Sequence, residues 1–189
     1  MTEWNVVGPF DSTDGTGFAK SYEPEKSPGA ARYEGKTEPV SWKPAQSDAI
    51  YGSLELNTAI GKHKDAAAYA AATIVSEKET PAEIRIASQC AVQVFLNGKK
   101  IFEHDEYHHG SAMDQYTATG VLKPGANELL VKVCQNNQTE AWAQTWSFAA
   151  RVCDATGGAL PLKQQMKTKD GAIETVELGR LKPAAKETK

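Results

Sequence analysis

AVQVFLNGKKIF, residues Ala91–Phe102, decides the fold. Apolar side chains alternate in its first half, and Asn97-Gly98 separates that half from a second apolar run. Both central residues of a type I′ turn need positive φ, which Asn and Gly supply at least cost, so the stretch reads as a β-hairpin. A two-residue turn predicts Leu96 opposite Lys99 and Val94 opposite Ile101, with Val94 and Ile101 together on the buried side.

Working outward, the period stays at two. Ile84 and Ile86 alternate in EIRIAS before the hairpin. After it, Lys123–Asn127 (KPGAN) forms a turn, since Pro fixes φ and Gly accepts a positive value. The turn launches ELLVKVC, in which Leu129, Val131 and Val133 point one way. A polar loop, QNNQTEA, leads into WSFAARV, where Trp146, Phe148, Ala150 and Val152 alternate inward. AYAAATIVS is rich in alanine, but the β-branched Thr73-Ile74-Val75 and the following Pro81 mark it as a strand. Upstream the chain is loop-rich: Asp11–Gly17 and Glu23–Gly29 hold most of the local turn formers, and a short VSW strand precedes Lys43-Pro44. Helix is expected only in short pieces, for instance around Lys62–Ala68. Many strands punctuated by turns, without βα alternation, predict an all-β, antiparallel two-sheet sandwich. Its expected extent is residues 1–162, followed by an extension over 163–189 whose last seven or so residues, PAAKETK at the tip, form a charged mobile tail.

Size and composition are consistent with this. A chain of 189 residues buries roughly 70% of its unfolded surface, enough to fold without a metal or disulfides. A formal charge of −3 argues against a nucleic-acid partner, because no excess of Lys and Arg is present to displace phosphate counterions. No run of about 18 apolar residues offers a membrane span. Met1–Phe10 lacks the basic start and apolar stretch of a secretory leader, which suits an excised segment or a cytosolic protein. Cys90, Cys134 and Cys153 have no CxxC spacing; they read as small apolar side chains, and the odd count leaves at least one thiol free.

In order, WNVVGPFDSTDGTGF, VSWKP, AVQVFLNGKKIF, VLKPGANELLVKVCQN and WSFAARVCDATGGALPL resemble the galactose-binding-like jelly-roll domains of large bacterial, planctomycete-type extracytoplasmic proteins. VFLNGK with LKPGANELLVKV is also similar to the sugar-binding jelly roll of β-galactosidase-type glycoside hydrolases. The resemblance spans Trp4–Leu162 and implies an extracytoplasmic location and a sugar-binding role. Two departures qualify it. Where related lectin-like domains carry Ser-Asp-Asp-Gly before the hairpin, this chain has Ser88-Gln89-Cys90-Ala91, without the aspartates of a calcium-dependent sugar site. Where they carry Arg-Gly-Ala-x-x-Asp-Gln-Asp, it has His109–Tyr116, which keeps only Asp114 and Gln115 of the polar positions.

Candidate chemistry concentrates in loops. Glu103–His109 (EHDEYHH) holds imidazoles and carboxylates of the kind that bind zinc, nickel or copper, and extended geometry would put His104, Glu106 and His108 on one face. The alternatives are a solvated loop, or ligand contact by Tyr107 or by a histidine such as His108. Asp11 and Asp14, in DSTDGTG, have the oxygen ligands and flanking glycines of a structural calcium loop, and an Asx-rich turn is the other reading. Trp142 lies in a polar loop with Asn136, Asn137, Gln138 and Gln144. It suits either a flat stacking surface for a sugar ring or a cover for the sandwich end. Trp146, on the inward face of its strand, reads as core, and Trp4 and Trp42 read as core or edge-covering residues. No GxSxG, HExxH, P-loop or GxGxxG motif is present, and Asp105 and Glu106, being adjacent, cannot flank one glycosidic bond.

Three functions follow. The first is a non-catalytic carbohydrate-binding module using Trp142, Tyr107, His108, Asp114 and Gln115. The second is a structural or protein-interaction module, so that the expected partner is a glycan or a protein. The third, most distant, is a metal-dependent enzyme centred on His104, His108 and His109.

Overall fold

The computed structural model describes residues 1, 3–47, 52–167 and 172–178. Within them the chain forms two antiparallel sheets packed face to face, as the alternation requires. The strands are β1 (Glu3–Asp11), β2 (Lys43–Gln46), β3 (Leu54–Glu55), β4 (Ala66–Ser76), β5 (Thr80–Ser88), β6 (Ala91–Leu96), β7 (Lys99–His104), β8 (Tyr116–Leu122), β9 (Gly125–Gln135), β10 (Ser147–Cys153), β11 (Lys163–Lys167) and β12 (Ile173–Glu177). The larger sheet runs β12-β11-β4-β9-β6-β7, and β1 joins it beside β4 with β2 on its outer edge. The smaller sheet runs β3-β10-β5-β8. Among the described residues, no helix is long and apolar enough to cross a membrane.

One edge of β4 serves two strands. Its first half pairs with β1 and its second half with β11, while the other edge pairs with β9 along its whole length. Lys163–Lys167, beyond the expected end of the sandwich, is thus a strand of the larger sheet. The terminal PAAKETK lies outside the described residues.

The inner faces of both sheets meet in the main core. Ile84 and Ile86 from β5, Val92 and Val94 from β6, Leu129, Val131 and Val133 from β9, and Phe148 from β10 are all within it. Trp146 seals one end and donates from Nε1 to the Val133 carbonyl at 3.3 Å. Trp4 packs edge-on against Phe148, with ring centroids 4.9 Å apart.

The outer face of the larger sheet is buried too, although one-sided alternation would leave it to solvent. Val7, Phe10, Tyr69, Phe95, Leu130 and Cys134 form a second core beneath Phe18, Tyr22 and Tyr33 of the loop-rich N-terminal segment. Lys132 secures this cover. It is only 1% exposed, and its Nζ donates to the carbonyls of Phe18 (3.0 Å) and Lys20 (2.7 Å) while facing Glu25 Oε1 at 3.4 Å. The ammonium also lies over the Tyr22 ring, 5.2 Å from its centroid.

Three local expectations need correction. The turn at Asn97 (φ 52°) and Gly98 (φ 76°) is left-handed as a type I′ turn demands, and Leu96 does face Lys99. A bulge then intervenes: Phe95 pairs with Lys100 and Val94 with Phe102, so Ile101 is the extra residue rather than the partner of Val94. The helix expected near Lys62–Ala68 does not form, because Ala66 already pairs with Gln135 at the start of β4. Among the described residues α-helix occurs instead as two single turns, α1 (Glu23–Lys26) and α2 (Leu56–Ala59). The VSW strand is displaced: β2 begins at Lys43, and Val40 makes only an isolated bridge to Tyr33.

Candidate functional site

Two crossovers from the larger to the smaller sheet leave the same end of the sandwich. Residues 105–115 join β7 to β8, and residues 136–146 join β9 to β10. Most of the polar residues singled out in the sequence sit on these two loops, and the fold brings the loops into contact.

The 136–146 loop is held down at several points. Gln135 Nε2 donates to the carbonyls of Ala143 (3.3 Å) and Thr145 (3.2 Å), and Lys64 Nζ donates to Ala143 at 2.6 Å. Ala143 is buried, which leaves the 3₁₀ turn Ala141–Ala143 no freedom to swing its middle residue inward. Trp142 therefore projects outward, 60% exposed. Beside it, the His108 ring lies edge-on to the indole at 5.7 Å. His108 Nε2 is bonded to Asn136 Oδ1 at 2.7 Å, and Asn136 Nδ2 donates to Gln138 Oε1 at 2.8 Å. The backbone of His108, at φ 57°, donates its N–H to the Gln89 carbonyl and so ties the loop to the end of β5. Tyr107 is half-buried, with its hydroxyl enclosed and lacking a partner among the described residues, and burial pushes the phenol above its ordinary pKa.

This placement separates His108 from the other histidines. Extended geometry would align His104, Glu106 and His108; the left-handed turn at His108 instead sends its ring to Asn136. The residues that do come together are His104, Glu106 and His109, with one donor atom of each within 4.8 Å of the others.

Asp114 and Gln115 anchor the far end of the 105–115 loop. Asp114 accepts from Arg151 Nε (2.7 Å) and Nη2 and from Arg85 Nη1 (3.1 Å), and these guanidinium bonds hold its carboxyl down to about 2. Gln115 accepts the Ser88 N–H through Oε1 and donates through Nε2 to the Gly110 carbonyl at 2.8 Å. Between this loop and the outer face of the smaller sheet runs a groove of about 400 Å³, lined by Arg85, Ala87, Met113, Ser147, Ala149 and Arg151. The sequence offered no sign of it, since its floor consists of small residues on two strands and its wall belongs to a third segment.

Asp11 ends β1 on the edge of β4 away from β9, and Asp14 follows in the next turn. Thr13 Oγ1 donates to Asp11 at 2.8 Å, and the Lys36 ammonium stands 3.6 Å from the same carboxylate oxygen, where it repels a second positive charge. Asp14 occupies a left-handed position (φ 56°) in a 3₁₀ turn.

No family model and no curated protein matches this sequence. Similar solved structures include a β-glucosidase from Kluyveromyces marxianus in complex with glucose, with a TM-score of 0.48 and 13% identity. That similarity covers 80% of this chain but only 16% of the β-glucosidase, so the chain spans about a sixth of it. The PA14 sugar-binding domain of an RTX adhesin matches over 95% of this chain and all of its own length, with a TM-score of 0.39 and 11% identity. A β-glucuronidase from Ruminococcus gnavus matches at 0.40 and 12%, over 96% of this chain and 39% of the enzyme.

Proposed function

We propose that this chain is a non-catalytic binding module that recognises carbohydrate at the loop end of the sandwich. The observation that carries the reading is Trp142, an indole held outward on an anchored turn. An exposed indole on a mobile loop would fold back onto the apolar sandwich end; the hydrogen bonds from Gln135 and Lys64 prevent that. The C–H face of a pyranose packs on such a ring while its hydroxyls need donors and acceptors at the rim, which His108, Asn136 and Gln138 supply. The groove beside Asp114 and Met113 continues the same loop and would take further sugar units or a substituent.

Affinity electrophoresis through gels containing a panel of polysaccharides tests this. Retention by at least one polysaccharide is expected, and Trp142→Ala should weaken it at least tenfold while leaving the circular dichroism spectrum unchanged. No retention across the panel, or undiminished retention by the variant, would sink the proposal. A protein-interaction role is favoured by one other feature: β12 ends the larger sheet with Ile173 and Val176 exposed, an edge suited to pairing with another strand. Light scattering on the eluting protein distinguishes that reading through a concentration-dependent dimer.

A further inference from the structure

We propose that His104, Glu106 and His109 form a binding site for a zinc-class divalent transition metal ion, with the remaining coordination position open to solvent. One donor atom from each residue lies within 4.8 Å of the other two, and His104 Nε2 is already 3.0 Å from Glu106 Oε2. Around tetrahedral zinc, with bonds of about 2.0–2.1 Å, neighbouring ligand atoms stand about 3.3 Å apart. The widest gap therefore has to close by only about 1.5 Å, a side-chain rotation rather than a loop movement. Two imidazoles and one carboxylate are ligands that zinc, copper(II) and nickel(II) accept and that calcium and magnesium do not favour.

The His104 Nε2 proton, held against Glu106 Oε2, is the one an incoming ion displaces, and the surroundings hold the other ligand in place. His109 Nδ1 lies 2.8 Å from the Gly110 carbonyl, which can only accept, and 3.2 Å from the Gln115 amide nitrogen; the shorter carbonyl contact favours the proton on Nδ1, which leaves the Nε2 lone pair facing the Tyr116 hydroxyl at 3.5 Å, where an ion would compete for it. Gln115 Nε2 donates to the same carbonyl at 2.8 Å, fixing the acceptor that fixes the ring. A ligating histidine with its second nitrogen bonded to a backbone carbonyl is the arrangement that orients imidazole toward a metal. Tyr116 forms a wall behind both rings, 4.6 Å from His104 and 6.2 Å from His109, and Phe102 backs Tyr116 at 5.2 Å. His104 and Glu106 remain accessible, with side chains 35% and 59% exposed, so an ion can enter from solvent. His108 takes no part, since its Nε2 is engaged by Asn136.

Calorimetric titration of the purified, EDTA-treated chain with zinc chloride tests the assignment. One saturable site per chain is expected. His104→Ala and His109→Ala should each weaken it at least tenfold, Glu106→Gln should weaken it measurably, and His108→Ala should leave it unchanged. With copper(II) in place of zinc, the electron paramagnetic resonance spectrum should show hyperfine structure from two imidazole nitrogens, and this should diminish in His109→Ala. The absence of saturable binding overturns the proposal. So does binding that survives both His104→Ala and His109→Ala, or that is lost equally in His108→Ala. Polysaccharide retention repeated in EDTA keeps the outcome separate from the reading of Trp142.

Discussion

Replacing Asp114 by asparagine keeps the shape of the side chain and removes its charge, and the cost follows from what the charge holds. In the register of β5 and β10, Arg85 is directly opposite Arg151. Two like charges in that position repel each other. Asp114, reaching over from the 105–115 loop, accepts from both guanidinium groups and lies with its carboxyl held down to about 2, against 3.8 for a free one. A drop of nearly two units corresponds to about 2.5 kcal/mol at 1.36 kcal/mol per unit. Solvent reaches part of the cluster and screens it, which reduces the expected loss to about 1–2 kcal/mol. Asp114→Asn should therefore lower the urea midpoint at pH 7 and the melting temperature by about 3–6 °C. The sign with pH is fixed. A carboxyl whose pKa is depressed by folding stabilises fully above its unfolded value and loses that contribution as pH falls through its folded value. The parent should thus lose most of its advantage between about pH 4 and pH 2, and the two proteins converge below that. Equal stability at pH 7, or a difference that persists unchanged at pH 2, would refute the argument.

Lys132→Ala leaves Glu25 and two carbonyls without their buried cation and should cost about 3–5 kcal/mol in urea unfolding. Lys132→Met keeps the volume of the aliphatic stem and should cost less; equal losses, or losses below 1 kcal/mol for both, would show that the N-terminal cover does not depend on this contact. Cys90, Cys134 and Cys153 are buried free thiols, and burial pushes Cys90 and Cys134 up to about 12, so Ellman's reagent at pH 8 should find almost no reactive thiol in the native protein and three in guanidinium chloride.

The strands were legible where side chains of different character alternate. Ile84-Arg85-Ile86 and Trp146–Val152 announce their faces, and the folded chain keeps them. In β4 the reading rests on Thr73-Ile74-Val75 and the following Pro81, because Ala66–Ala72 has alanine on both faces and carries no periodic signal. Those alanines mark a strand pressed between two layers, yet they read equally well as helix, which is why Lys62–Ala68 suggests one. The bulge after Val94 was hidden for another reason: Asn97-Gly98 specifies the turn and its first pair but not whether an extra residue follows. The ionic cluster was out of reach altogether. Asp114 is 29 residues from Arg85 and 37 from Arg151, and only the β5–β10 register makes the two arginines neighbours.

The second core explains why the candidate chemistry lies where it does. A sheet face is available to a ligand only if nothing of the same chain covers it. Phe18, Tyr22 and Tyr33 lie across the outer face of the larger sheet, and Lys132, which would otherwise offer a charge there, is committed to Phe18, Lys20 and Glu25. The inner faces of both sheets form the core. Among the described residues this leaves the outer face of the smaller sheet, the loops at the ends and the exposed edge strand β12. The 105–115 loop reaches both, because it must cross from β7 in one sheet to β8 in the other. In doing so it presents His108 to Trp142, brings His109 to His104, and walls the groove with Met113 and Asp114. One crossover thus carries three polar arrangements, and its anchors at Gln89, Ser88 and the two arginines belong to the smaller sheet or the segment that leaves it. The proposed binding surface, anchored in this way, needs no closure on a ligand, so free and bound backbones should superpose closely through residues 105–115.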